Sequence, residues 1–223
     1  MYKTVIFDID GTLIDTEHAV LSSLQKMLND DYGKYYTFEE LHFVLGIPGA
    51  QSLPQLGISD IASANERWNV YMKGFFWSVK VFDGVAEVLA SLADHKVCTG
   101  IVTSKTREEL RSDFIPFGLM KYLSFIVCAD DTDEHKPNPK PILKFLEIAN
   151  AEPKTSVYIG DTDYDFQCAR SAGIDFGLAL WGSKTPDVMA QHKLAKPADI
   201  IQLILKERWG SSHSEWFMNR NDI

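Results

Sequence analysis

The chain has 223 residues, 45% of them hydrophobic and 24% charged, which suits one soluble core domain with a modest insertion and ample length to bury a core. A formal net charge of −9 argues against non-specific contact with nucleic acid or an anionic membrane, and no apolar run is long enough to span a bilayer. Cys98, Cys128 and Cys168 are far apart and lack CxxC spacing, so reduced thiols are expected rather than a disulfide frame or a zinc site.

Met1-Tyr2-Lys3 leads directly into a buried strand over residues 3–9, with no charged-then-apolar leader, and a cytoplasmic location is expected. Within that strand Val5-Ile6-Phe7 runs into Asp8 and Asp10, followed by Gly11 and Thr12. A buried carboxylate is costly unless it is paired or holds a cation. Side chains alternate with period two on an extended backbone, so Asp8 and Asp10 are expected on the same side. A carboxylate that attacks a phosphate ester forms an acyl phosphate and divides hydrolysis into two easier steps. Mg²⁺, bound by one or two carboxylates and a phosphate oxygen, offsets the repulsion between the reactants. Asp10 then suits the general acid and base. Taken alone, two acids at this spacing also fit an exposed turn.

From Thr16 to about Lys80 the pattern is helical, and no strand is expected there. Val20, Leu21, Leu24, Met27 and Leu28 share one stripe, and Thr37-Phe38-Glu39-Glu40 has the form of a capped helix start. Gly46-Ile47-Pro48-Gly49 breaks the pattern, and a long helix carrying Trp68, Tyr71, Met72, Phe75 and Phe76 closes the block. His18 reads as a helix-surface residue.

Beyond Asp83-Gly84, apolar runs at 97–102, 125–128, 157–159 and 174–178 alternate with helical patterns at 105–117, 140–149, 163–172 and 187–193. Such alternation implies an α/β fold, a doubly wound, Rossmann-like parallel sheet covered on both faces. Residues 1–15 and 81–206 form the expected core domain, and 16–80 an inserted all-helical cap over the carboxyl ends of the strands, where open α/β sheets bind ligands. The tail, 207–223, with Trp209, Trp216 and Phe217, is expected to pack back onto the core, a dimer contact being the sharper alternative.

Three more groups fall at strand ends. Thr103-Ser104 precedes a helix start, where backbone N–H groups bind phosphate and a hydroxyl adds a donor; a plain N-cap is the other reading. Lys136-Pro137-Asn138-Pro139-Lys140-Pro141 presents Lys136 from a stiff loop, with a helix starting near Pro139. That lysine would offset charge between acids and phosphate, unless it is simply a solvated loop residue. In Gly160-Asp161-Thr162-Asp163-Tyr164-Asp165, Asp161 and Asp165 lie four apart, on one face if the helix begins there. Capping would also explain either acid, yet several close carboxylates with one lysine favour a hard-cation site.

Taken together, Asp8-Ile9-Asp10-Gly11-Thr12, Thr103-Ser104, Lys136-Pro137 and the Asp161–Asp165 segment resemble, in type and order, the four motifs of the haloacid dehalogenase superfamily of phosphohydrolases. The resemblance covers about residues 3–205 and includes Leu13-Ile14-Asp15-Thr16, Ala169-Arg170-Ser171-Ala172-Gly173 and Trp181-Gly182. A helical cap in this position is similar to the phosphoglycolate phosphatase-like subgroup. The resemblance implies Asp8 as nucleophile, Asp10 as acid/base, and Thr103, Ser104 and Lys136 around the phosphate. It also implies Mg²⁺ held by the Asp8 side chain, the Asp10 main-chain carbonyl and Asp161, with Asp165 in support. Specificity in such relatives comes from cap residues facing the rim, here Ile47 and Pro48. Two features depart from the family pattern: Asp83-Gly84 stands where Pro-Gly is usual, and His135 precedes the motif lysine.

The implied activity is hydrolysis of a small, phosphoglycolate-like phosphate monoester through an aspartyl-phosphate, by a monomer or homodimer with no nucleic-acid or membrane partner. A sugar-phosphate mutase, a pyrophosphatase and a catalytically silent binding protein are the alternatives. Dehalogenation is disfavoured because family dehalogenases are metal-free and lack the second acid that Asp10 supplies. Phosphonoacetaldehyde hydrolysis needs a cap lysine near the nucleophile, and Lys26, Lys34, Lys73 and Lys80 have no distinctive context.

Overall fold

The apolar run near the start of the chain forms β1 (Thr4–Phe7), buried along its whole length, in a computed structural model that describes residues 1–205. Its side chains alternate between two cores, Val5 and Phe7 entering one and Ile6 the other. A strand buried on both faces needs cover on both, which is why its sequence is continuously apolar rather than alternating.

The chain leaves the sheet through β2 (Ile14–Asp15) and enters a helical block. There α1 (Glu17–Tyr32) buries Leu21, Leu24, Met27 and Leu28 as its stripe requires, and stops at Gly33, whose φ of 63° suits the left-handed C-cap. Thr37 and Glu40 form the expected capping box of α2 (Phe38–Leu41). Two further helices follow, α3 (Gly49–Gln55) and α4 (Ile61–Lys73). Leu21, Leu24, Leu41, Leu53, Ile58 and Ala64 form a third core belonging to this block alone.

Two expectations for this region are corrected. The long helix ends at Lys73, and Phe75 and Phe76 pack against the sheet's core instead of the block's own. A strand is also present at the return: β3 (Lys80–Val81) pairs antiparallel with β2, Ile14 opposite Val81. Two-residue strands are too short to leave a periodic signal, so only the pairing reveals them.

The rest of the chain alternates as expected. It runs α5 (Val85–Asp94), β4 (Cys98–Val102), α6 (Arg107–Asp113), β5 (Phe125–Val127), α7 (Lys140–Ala149), β6 (Ser156–Gly160), α8 (Asp163–Ala172), β7 (Asp175–Ala179), β8 (His192–Leu194) and α9 (Asp199–Leu205). The sheet order is β5-β4-β1-β6-β7-β8, with every neighbouring pair parallel. Residues of α5 and α9 fill one core, and those of α7 and α8 the other.

The helix expected over 105–117 stops at Asp113, and a short 3-10 turn, Ile115–Phe117, follows it. The helix expected over 187–193 is absent. His192–Leu194 is instead the edge strand β8, where only Leu194 is buried and a short, mixed sequence gives no strand signature. The tail residues Trp209, Trp216 and Phe217 lie outside the described residues. Among the described residues, no helix is long and apolar enough to cross a membrane.

Candidate active site

β1 lies between β4 and β6, so connections depart to opposite sides from its carboxyl end and leave a crevice there. Asp8 follows β1, Thr103 and Ser104 follow β4, and Asp161 follows β6. Lys136 enters from the segment between β5 and α7.

Lys136 is the hub of the buried part. Its Nζ donates to Asp8 Oδ1 at 2.9 Å and to Asp165 Oδ1 at 2.7 Å, and only 2% of the side chain is exposed. The Tyr158 hydroxyl lies 3.0 Å from Asp165 Oδ1 and 2.9 Å from the Val102 carbonyl. Asp165 Oδ2 accepts from Thr162, from N at 3.0 Å and from Oγ1 at 2.6 Å. Both oxygens of Asp165 are thus committed to protein donors.

Asp161 is held differently. Helix α8 begins only at Asp163 with Thr162 as its N-cap, so the helical-face argument for Asp161 and Asp165 is corrected. They converge through the turn before the helix, and carboxylate oxygens of Asp8, Asp161 and Asp165 lie within 4.8 Å of one another. The hydrogen bond Asp161 receives comes from Thr12 Oγ1 at 3.1 Å. Gly11 makes the approach possible: its φ is 76°, and a Cβ there would stand 2.2 Å from Asp161 Oδ2. Trp181 Nε1 fixes the same loop by donating to the Thr12 carbonyl at 3.0 Å.

Burial dominates the electrostatics. It pushes the Asp8 carboxyl up to about 7, against the pull of Lys136 and with the charges of Asp165 and Asp10 adding to the rise. Burial, then Asp165 and Asp8, hold Asp161 well above the ordinary carboxylate range. For Lys136 burial acts downward, but Asp165 and Asp8 outweigh it and keep the ammonium charged. Three buried carboxylates against one lysine leave an excess of negative charge. All the donors are hard oxygens, and Asp161 is poorly served by protein donors. The set therefore fits a hard divalent cation.

Asp10 parts company with Asp8. The strand ends at Phe7, so period-two alternation no longer governs the pair. Both acids line one cavity, but Asp8 faces Lys136 and Asp10 faces Lys105. Lys105 Nζ stands 3.1 Å from Asp10 Oδ1, outside hydrogen-bond alignment, so that oxygen receives no donor. The same ammonium lies 3.3 Å from Asp113 Oδ2. Neither Lys105 nor Asp113 was singled out from the sequence. Lys105 directly follows the strand-end pair Thr103-Ser104, and that position was the available signal.

Ser104 lines the cavity and donates from Oγ to the Gly46 carbonyl at 3.0 Å, joining the sheet rim to the helical block. Thr103 is buried, with Oγ1 accepting from the Lys105 amide at 3.2 Å. Ile47 and Pro48 line the cavity, together with Trp68 and Met72 of α4, around about 120 Å³ of solvent-accessible space. His18 stacks edge-on to Phe38 and Phe75. His135 is half-buried with Nδ1 lacking a partner, and Gly84 turns into α5 with φ 87°. Among the described residues lining the cavity, none is Lys26, Lys34, Lys73 or Lys80.

Residues 5–179 match the family described as haloacid dehalogenase-like hydrolase. A phosphoglycolate phosphatase of Aquifex aeolicus is 29% identical over 212 residues, covering 91% of this chain and 96% of its own. Pyrophosphatase PpaX of Bacillus pumilus is 28% identical over 211 residues, with the same 91% and 96% coverage. Among solved structures, a candidate phosphoglycolate phosphatase from Lactobacillus plantarum superposes with a TM-score of 0.84 at 30% identity, covering 91% of this chain and 99% of that one.

Proposed function

The chain belongs to the haloacid dehalogenase-like hydrolase family and is a phosphatase; from that premise we propose that it hydrolyses a small phosphate monoester with Mg²⁺ through an aspartyl-phosphate on Asp8. The observation that carries this reading is the buried Asp8–Lys136 pair at the end of β1, with Asp8 lining the cavity beside Asp161 and Lys136 behind it. Residues 16–80 act in this proposal as the cap that closes the cavity.

The Asp8 side chain, the Asp10 main-chain carbonyl and Asp161 would hold Mg²⁺, which supplies the positive charge that lets a carboxylate approach a phosphate dianion. Asp8 Oδ1 is tied to Lys136, which leaves Oδ2 as the attacking atom. The Oδ2–P bond forms as the ester P–O bond breaks, and Asp10 gives its proton to the departing oxygen. Asp10, now a carboxylate, takes a proton from water. That water attacks phosphorus, the Asp8–phosphate bond breaks, and inorganic phosphate leaves. Lys136 offsets charge on Asp8 and on the phosphate, and Asp165 positions Lys136 through its 2.7 Å hydrogen bond. Ser104 and Thr103 complete the phosphate end.

Phosphate release measured with Mg²⁺ on a panel of phosphate monoesters tests the proposal: Asp8→Asn, or chelation of the metal, abolishes release, and undiminished turnover in either case rejects it. Pyrophosphate cleavage, favoured by the similarity to proteins named PpaX, would use the same groups and differ only in what leaves.

A further inference from the structure

The leaving group must sit in the part of the cavity away from Asp8 and Asp161, and there the lining acids outnumber the cations. Among the described residues, Lys105 is the one cation lining the cavity, and it is held between Asp10 and Asp113. The helical block contributes no Lys, Arg or His to the lining. Its one lining acid, Glu17, is paired with Lys184 at 2.7 Å. On the α6 side, Glu109 accepts from Asn69 Nδ2 at 3.2 Å and from the Thr106 amide at 2.8 Å. A second anion would therefore enter beside Glu17, Glu109 and Asp113 with no uncommitted cation to meet it, and like charges at close range are strongly disfavoured.

What the outer cavity does offer is neutral. Asn65 lines it, its side chain lies against Gly49, and its amide has no hydrogen-bond partner among the described residues. Asn69 uses one amide hydrogen on Glu109 and keeps its carbonyl oxygen free. Trp68 and Met72 add apolar surface. Amides able to donate and accept beside an aromatic face suit hydroxyl groups on a carbon chain.

We infer that, granted the phosphatase reading above, the leaving group is an uncharged polyol or sugar, recognised by Asn65 and Asn69, rather than a second anion such as glycolate or phosphate. The test compares kcat/KM of the Mg²⁺-loaded enzyme for glycerol phosphate, a pentose phosphate and a hexose phosphate with that for phosphoglycolate and pyrophosphate. The best polyol or sugar ester is expected to exceed both anions by at least about tenfold, the size of one well-made hydrogen bond to a charged or polar group. Any result in which it fails to do so overturns the inference while leaving hydrolysis itself intact. No release from any of these or from p-nitrophenyl phosphate overturns the phosphatase reading and the inference with it. Asn65→Lys supplies the missing cation and is expected to shift preference toward phosphoglycolate by about tenfold relative to the polyol ester; an unchanged ratio removes Asn65 from the assignment. Asn65→Ala should lose about tenfold more on the polyol ester than on p-nitrophenyl phosphate, and equal losses count against it in the same way.

Discussion

The strand-end wall of the cavity presents Asp8 and Asp161, backed by Asp165 and Lys136, all at 7% exposure or less, while α4 on the facing wall presents Trp68, Met72 and two asparagine amides. Charge on the first wall is dense, buried and cross-linked by short hydrogen bonds, so each group fixes its neighbours. The second wall is built from groups that could be exchanged one at a time without leaving a buried charge unpaired. A phosphoryl-transfer site needs the first kind of wall for positioning and charge stabilisation. It can use the second kind to choose among esters, because specificity rests on differential contacts with the part of the ester that leaves.

That contrast can be broken most forcefully at Asp8. Asp8→Asn is expected to lower phosphate release by at least about 10⁴-fold, as loss of a nucleophile does. A residual rate within tenfold of the parent protein would mean that the strand-end wall does not hold the nucleophile. Lys136→Met should come next in severity, this time in stability. Removing one partner of a buried pair leaves Asp8 and Asp165 without their shared counter-charge, a loss of about 3–5 kcal/mol. Denaturant titration would measure it, and a loss below about 1 kcal/mol would place the lysine in a far better solvated setting than described.

A third effect follows from the raised Asp8 carboxyl, pushed up to about 7 in the metal-free protein. Unfolded, an aspartate titrates near about 4, so between these values the native state binds a proton that the unfolded chain has released. Stability of the metal-free protein should therefore fall as pH rises from about 4 to about 7 through this group, opposite to a carboxylate stabilised by a salt bridge. Mg²⁺ competes with that proton, so the rise in Tm on adding Mg²⁺ should be larger at pH 8 than at pH 5. Equal shifts at both would separate Asp8 from the metal. The smallest effect belongs to the other wall: Ile47→Ala should change the ratio of kcat/KM between two esters by about tenfold while the Mg²⁺ dependence stays put. A change in metal dependence instead would blur the division between the walls.

Legibility in the sequence followed the same division. Asp8, Ser104, Lys136 and Asp161 could be placed on one rim because each follows a short apolar strand in a parallel sheet, and topology alone gathers strand ends. Lys105 escaped because a lysine at a helix start looks solvated until Asp10 and Asp113 are seen on either side of it. The relation between Asp161 and Asp165 was drawn from helix pitch, yet the N-cap lies between them at Thr162. Strand β8 lies where the sequence predicts helix, because His192-Lys193-Leu194 pairs on one side only and buries one residue, which leaves no periodicity to detect. Asn65 and Asn69, ordinary helix residues by any local measure, became candidates only through what they face.

The sequence by itself therefore determined the sheet apart from its edge strand β8, the helical insertion and the residue types at the strand ends, since burial on two faces and on one stripe writes periodic patterns into a chain. Tertiary structure alone decided which polar groups are matched: Asp8 with Lys136, Asp10 near Lys105, and the Asn65 amide with no hydrogen-bond partner among the described residues. Pairing depends on distances between segments far apart in the chain, 128 residues for Asp8 and Lys136, and desolvation on how completely the fold encloses them. Neither quantity is carried by any local stretch of sequence.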